Sequence, residues 1–272
     1  MKELQQGEGV EWLLNSCYAE KSRAVESFVY EHSFMYIFEG SISFFIAGAT
    51  QVFHAGDVVL VKRNQLAKAT KLPPAGGVFR SVSIRLDQDT LRTYSMEQGI
   101  TAPGPYRGES IVPLKQDHFY RSFFESLGPY LDVPLENIDE SLRAIKVKEA
   151  IILLLRQNPE LKNLLFDFSE PGKIDLEEFM SKHFAFNVEM KQFAYLTGRS
   201  LATFKRDFEK VFHTSPGKWL QQRRLEQAYY LIKEKGRRPS DVYLEVGFED
   251  LSHFSFAFKK EFGKAPTLMN YN

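Results

Sequence analysis

Glu245-Val246-Gly247-Phe248-Glu249-Asp250-Leu251-Ser252-His253-Phe254-Ser255, close to the end of the 272-residue chain, sets a glycine three residues before an aspartate at the junction of two apolar-periodic runs. The run from Ser240 to Val246 has the spacing of a short helix, and Gly247 closes it. A helix commonly ends in a left-handed residue, a conformation that costs glycine least. Asp250 is a good N-cap for a second helix running from Leu251 through Phe262. Two short helices joined by a tight turn make a helix-turn-helix, whose second member lies in a DNA major groove.

The same layout occurs earlier. Met190-Lys191-Gln192-Phe193-Ala194-Tyr195-Leu196-Thr197-Gly198 reads as helix and stop, and Ser200 caps a second helix that extends through Phe208. Between the two units, Pro216 to Glu234 is one amphipathic run with Trp219, Leu220, Leu225, Ala228, Tyr229, Leu231 and Ile232 on a wide apolar face. At ~1.5 Å per residue it spans roughly 28 Å. Successive major-groove turns on one side of B-DNA are ~34 Å apart, so a rigid spacer of this length presents both second helices to one side of a duplex.

Ser215-Pro216-Gly217-Lys218-Trp219-Leu220, followed by Arg223-Arg224-Leu225-Glu226-Gln227-Ala228, resembles the inter-unit helix of the AraC/XylS family of bacterial transcription regulators. The opening stretch, continued by Phe258-Lys259-Lys260-Glu261-Phe262-Gly263-Lys264-Ala265-Pro266, is similar to that family's C-terminal signature, and the resemblance covers about Ile174 to Leu268. It implies a regulator, most often an activator, that binds double-stranded promoter or operator DNA as a homodimer. RNA polymerase is the further partner such a regulator implies.

In the first reading helix Leu201, Phe204 and Phe208 form the inward stripe, leaving Ala202, Thr203, Lys205 and Arg206 outward. The resemblance places the base-reading surface there, next to the cap Ser200. Arg206 is the candidate for bidentate contact with guanine, and Ala202 or Thr203 for a thymine methyl. Arg199 and Lys210 are expected to bind phosphate. The second reading helix turns Ser252, His253, Ser255 and Phe256 outward. Family members often carry a basic residue where Phe256 stands, so this helix is expected either to meet thymine methyls or to grip the backbone. The pairs Arg223-Arg224 and Arg237-Arg238 are read as solvated charges near the DNA face.

Working outward, the whole chain has 35 basic and 35 acidic residues, but they are unevenly placed. Up to Gly172 there are 18 basic and 22 acidic, a net of −4; the rest has 17 and 13, a net of +4. The C-terminal hundred residues are therefore the part suited to a polyanion. Cys17 stands alone, which excludes an internal disulfide and a multi-thiolate zinc site. Neither a signal-peptide pattern in the first thirty residues nor a membrane-spanning apolar run is present, so a cytoplasmic location is expected.

The first ~90 residues predict strands at Ser27 to Tyr30, Phe34 to Phe38, Ile42 to Ile46, Val58 to Val61 and Phe79 to Ile84, punctuated by Gly40, Gly48, Gly56 and Pro73 to Gly77. Such short, closely spaced strands suggest an antiparallel barrel or sandwich. Phe34-Met35-Tyr36-Ile37-Phe38 is bulky on both faces, one for the interior and one for a covering element. From about Asp117 the pattern is helical: Phe119, Phe123, Leu127 and Leu131, then Ile138, Leu142, Ile145 and Ile152. The second stripe either seats a second copy of the chain or covers the barrel. Ser169 to Lys173 is the domain boundary.

His54-Ala55-Gly56-Asp57-Val58-Val59-Leu60-Val61 resembles the glycine-aspartate turn and strand of cupin-like barrels, the sensing domains of many AraC-type regulators. The resulting fold class is α+β and multidomain. Residues 1–168 are a cupin-like sensing and dimerisation domain, with a barrel over about 20–90 and helices over about 117–166. Residues 173–272 are an all-α domain with two helix-turn-helix motifs joined by a linker helix. Tyr36, Phe38, Phe44, Phe53 and Arg80 are candidate lining residues for an effector, whether a small molecule or a protein. His32, Glu39 and His54 lack the paired histidines of metal-binding cupins, and no nucleophile-base-orienter set is recognisable, so neither metal, cofactor nor catalysis is expected. The competing readings are a cupin-type metal-binding protein or enzyme with an appended helical interaction domain, and an interaction protein that has lost DNA binding.

Overall fold

The computed structural model describes residues 12–22, 25–46 and 49–269; Gly48 of the turn punctuation and the first eleven residues of the N-terminal part lie outside these. The strands are β1 (Leu13–Tyr18), β2 (Val25–Val29), β3 (His32–Glu39), β4 (Ser41–Ile46), β5 (Ala49–His54), β6 (Val58–Val61), β7 (Gln65–Leu72), β8 (Phe79–Leu86) and β9 (Ile111–Leu114). They form two antiparallel sheets, ordered β1-β8-β3-β6-β9 and β2-β7-β4-β5. The chain crosses from one sheet to the other at Gly40, between β3 and β4. Its φ is +83°, and a Cβ there would stand 2.5 Å from the Leu72 carbonyl, so glycine alone makes the corner without strain.

Side-chain alternation in β3 divides the core in two. Phe34, Tyr36 and Phe38 point away from the second sheet and Ile37 points toward it. On the inner side, Ile37 meets Ile42, Phe44, Phe53, Val59, Ala67 and Phe79 in a layer between the sheets. On the outer side, Phe34 and Tyr36 pack against helices α1 (Gln88–Gln98), α2 (His118–Ser126) and α4 (Glu140–Gln157) through Leu91, Tyr94, Phe123, Phe124, Val147, Ile151 and Leu154. Both faces of the bulky strand are thus covered, as the pattern required. The short turns α3 (Gly128–Leu131) and α5 (Lys162–Leu165) complete this layer.

Only part of the helical stripe faces inward. Phe123 and Leu127 are buried, but Phe119, in the first turn of α2, is exposed beneath the Arg156 guanidinium. In α4 the buried residues are Val147, Ala150, Ile151 and Leu154, whereas Leu142, Ile145 and Ile152 are exposed. The second apolar stripe therefore lies on the solvent side and does not cover the sheet.

The remaining helices are α6 (Leu176–His183), α7 (Met190–Leu196), α8 (Leu201–Phe212), α9 (Pro216–Lys233), α10 (Pro239–Glu245) and α11 (Leu251–Phe262). They make two cores. Leu176, Met180, Phe186, Phe193, Phe204, Phe208 and Leu220 form one, and Leu225, Ala228, Ile232, Val242, Val246, Phe254 and Phe258 the other. The first does not close on itself: Phe28, Leu66 and Phe45 from the outer face of the second sheet belong to it. Each fully buried side chain of this size stabilises by ~1.5–3 kcal/mol, so the helical part is seated on the sheet rather than tethered beside it.

Polar contacts fix that seat. Nη2 of the buried Arg63 donates to the carbonyls of Asp167 at 3.0 Å and Ser169 at 3.1 Å, holding the polar segment at 169–173 against the sheet. Gln192 of α7 donates to the Tyr30 hydroxyl at 2.8 Å, and the Tyr195 hydroxyl reaches Asn64 and Glu170. Lys68 Nζ lies 3.3 Å from the carbonyls of Leu244 and Glu245, the last of α10, where a cation meets the negative end of the helix.

Candidate nucleic-acid interface

The two candidate reading helices are built to one register. Both α8 and α11 have twelve residues, and an offset of fifty aligns cap on cap and phenyl on phenyl. Ser200 accepts from the Thr203 amide and Asp250 from the His253 amide. Phe204, Phe208 and Phe212 correspond to Phe254, Phe258 and Phe262, one side chain per turn on the inward face. His213 and Gly263 end the helices with φ of 53° and 75°. The preceding helices, α7 and α10, have seven residues each, and the left-handed Gly198 and Gly247 follow.

The outward faces differ in chemistry. On α8, Ala202, Lys205 and Arg206 are exposed and Thr203 is half-buried; the Arg206 side chain is 65% exposed. Ser200 is exposed, but its oxygen is spent on the helix terminus and its hydroxyl donates to Thr203 Oγ1 at 3.0 Å. On α11, Ser252, His253 and Phe256 are exposed and Ser255 is half-buried. Among the described residues the sequence-proposed readers therefore form two surface strips, one basic and one nearly neutral.

Arg199 does not share that surface. Its side chain is 11% exposed, with Nε 3.2 Å from Asp207 and Nη1 donating to the carbonyls of Thr197 at 2.7 Å and Ile174 at 3.1 Å. The expected phosphate contact gives way to a structural role, because Nε and Nη1 of the guanidinium are answered inside the protein. Burial would raise the Asp207 carboxyl. The Arg199 hydrogen bond and the nearby Arg206 and Lys173 charges outweigh it and hold the carboxyl below the usual range. The Asp207 carboxylate also lies 3.6 Å from Arg206 Nε, and the Arg206 side chain stays exposed beside it.

Arg224 is the second correction. Read from sequence as solvated, it donates to the carbonyls of Phe184, Phe186 and Gly247 at 2.8–2.9 Å. It stitches α9 to the connection between α6 and α7 and to the turn of the second unit. Its neighbour Arg223 pairs outward with Glu226 at 2.7 Å. Trp219 is half-buried, packed on Phe208 and Phe212 with centroids 5.6 and 4.7 Å away. Arg63, Lys68 and the Tyr195 network went unread, since nothing local in sequence links a strand to a helix more than a hundred residues away. Burial and the bond to Glu170 push the Tyr195 phenol up to about 12, so it stays a donor at that junction.

The effector candidates do not line one space. Tyr36 and Phe38 lie in the layer under the helices, Phe44 and Phe53 in the layer between the sheets, and Arg80 is exposed with its guanidinium 4.9 Å above the Phe38 ring. Alternation sends neighbouring aromatics to opposite faces. An open cleft of about 490 Å³ lies elsewhere, between α1, residues 101–105 and the 166–169 segment. The metal-donor candidates are also apart in environment. His32 is fully buried with Nδ1 accepting from the Arg63 amide at 3.3 Å, whereas His54 is exposed.

Both halves of the chain match known families. Residues 193–270 match the model of a helix-turn-helix domain, and residues 32–165 match that of the ExsA N-terminal regulatory domain. The chain is 30% identical over 128 residues to the HTH-type transcriptional regulator ExsA of Pseudomonas aeruginosa, a match that spans 46% of each chain and so about half the length of that relative. It is 24% identical over 254 residues to the thermoregulatory protein LcrF of Yersinia pestis, covering 88% of this chain and 90% of LcrF. A point variant of apo ToxT from Vibrio cholerae, a solved structure, superposes with a TM-score of 0.43 at 12% identity over 96% of this chain and 97% of that one. No helix among the described residues is long and apolar enough to cross a membrane. With both halves matched and paired helices in a common register, the chain belongs to the AraC/XylS family of transcription regulators.

Proposed function

We propose that this protein is a sequence-specific transcription regulator, an activator, that binds double-stranded promoter DNA through two helix-turn-helix units. The observation that carries the reading is the common register of α8 and α11, each capped by an oxygen-bearing side chain, with its phenyl stripe inward and its candidate readers on the outer face. A duplicated seat of this kind suits two successive major-groove segments. Residues 173–272 form the reading domain, with Arg206, Lys205, Thr203 and Ala202 on the first segment and Ser252, His253, Ser255 and Phe256 on the second. Residues 1–168 form the sensing and dimerisation domain, whose paired sheets support a cupin-like description.

The exposed Leu142, Ile145 and Ile152 on α4 are proposed to seat the same helix of a second copy. An effector, small molecule or protein, would act by favouring one placement of the helical part on the second sheet, where Arg63, Lys68 and Gln192 hold it. RNA polymerase is the proposed partner of the DNA-bound form. The test is selection from a random duplex pool at low ionic strength with the full chain. Enrichment of one shared site, with affinity falling steeply as salt rises, supports the reading. A pool that enriches nothing overturns it.

A further inference from the structure

Four features of the first unit have altered counterparts in the second. Position 206 is arginine and position 256 is phenylalanine. Asp207, which braces Arg206, corresponds to the buried Ala257. Arg199, which braces Asp207, corresponds to Glu249, which instead accepts from Asn187. Lys205 corresponds to the half-buried Ser255. The ionic framework that presents a guanidinium in α8 has been replaced as a set, not at one position.

The phenyl put in its place is 71% exposed and touches no other ring among the described residues. A single exposed aromatic is ordinary on a protein surface. Its seat is not ordinary, because it stands where the other helix holds its reader. One turn toward the N-terminus are Ser252 and His253, small or flat; one turn toward the C-terminus are Lys259 and Lys260, both exposed. Hydroxyl and imidazole thus flank the phenyl on one side along the helix and two ammonium groups on the other.

Resting on the DNA-binding reading above, we infer that α11 reads thymine through its C5-methyl group, with Phe256 supplying the apolar surface. The methyl is the one apolar feature of the major-groove edge, and guanine and cytosine offer nothing comparable to a phenyl ring. The two units then read different chemistry: acceptor atoms under α8 and methyl groups under α11.

The experiment uses the site selected by the full chain. Each thymine is replaced in turn by deoxyuridine, which keeps every hydrogen bond and removes only the methyl, and affinities are measured for wild type, Phe256→Ala and Phe256→Arg. The wild type should bind about fourfold more weakly when one or two particular thymines lose their methyl, the worth of one buried carbon group. Phe256→Ala should bind the parent site more weakly and show no penalty at those thymines. Phe256→Arg should shift selection at the same pair toward guanine. Identical uracil penalties in wild type and Phe256→Ala overturn the inference while the DNA-binding reading stands. Unchanged affinity of Phe256→Ala for the parent site also overturns it, placing the phenyl away from the duplex. If the wild type selects no site, both fall.

Discussion

The guanidinium of Arg224 lies against Gly247: Nη1 donates to the Gly247 carbonyl at 2.9 Å, and a Cβ on Gly247 would stand 2.9 Å from Nε and 2.6 Å from the Ala185 carbonyl oxygen. One arginine on the spacer helix thus joins the first unit's α6–α7 connection to the turn of the second. The spacing between the two reading helices is set by this contact as much as by the length of α9.

Gly247→Ala is therefore expected to destabilise the chain by roughly 2–3 kcal/mol, from a positive φ of 96° and from overlap with backbone that has little room to move. Arg224→Met should cost a similar amount by leaving carbonyl groups without donors. Denaturant titration measures both, and an unchanged midpoint in either variant would remove this contact from the framework.

Arg206 and Arg199 should separate cleanly. Arg206→Ala is expected to weaken binding to the selected site by ~1–3 kcal/mol and to relax the preference at one base pair, with thermal stability unchanged. Arg199→Ala should lower stability first, because it frees the carbonyls of Ile174 and Thr197 and takes from Asp207 its shorter ion pair, leaving the 3.6 Å contact with Arg206. A uniform loss of affinity across all sequences for Arg206→Ala would reassign that side chain to a phosphate.

His32 gives the pH dependence. Burial, aided by the Arg63 and Lys62 charges and opposed by Asp167, brings its imidazole down from 6.5 to about 3, so it is neutral in the folded chain. The unfolded chain binds a proton at 6.5 that the folded one refuses, so stability is full above pH 6.5 and falls as pH drops from 6.5 toward 3. The loss from this residue should reach ~2 kcal/mol by about pH 5. His32→Asn, which keeps an acceptor for the Arg63 amide, should flatten that slope between about pH 7.5 and 5. Parallel slopes in the two proteins would show that His32 is not the titrating group.

Ile145 is 60% exposed at the centre of the apolar strip on α4. Ile145→Asp should convert a dimer to monomers in sedimentation measurements and leave the unfolding temperature of the monomer unaltered. A wild-type chain that sediments as a monomer at high concentration would end the dimer proposal.

Much of the helical part was legible because its signals are local. Phenylalanine every fourth residue and an oxygen-bearing cap mark α8 and α11, although α8 runs on to Phe212, one turn past the Phe208 at which the sequence pattern closes. The strands were read only where they are aromatic or β-branched. β7, with Lys68 and Lys71 facing opposite sides, carries too little apolar signal, and α1, QDTLRTYSMEQ, buries only Leu91, Tyr94 and Ser95.

Sequence alone determined that a helix pair is repeated, that Phe204, Phe208, Phe254 and Phe258 turn inward (Leu201, expected beside them, is exposed), and that the acidic and basic halves of the chain are distinct, since each depends on neighbours within one helical turn or on simple counting. Tertiary structure alone decided which arginines are available to a ligand. Arg199, Arg206, Arg223 and Arg224 are indistinguishable as letters, and only the placement of carbonyl groups from Thr197, Ile174, Phe184, Phe186 and Gly247 turns two of them inward. A buried carbonyl without a donor costs free energy wherever it lies along the chain, so the partner it recruits is set by proximity in space.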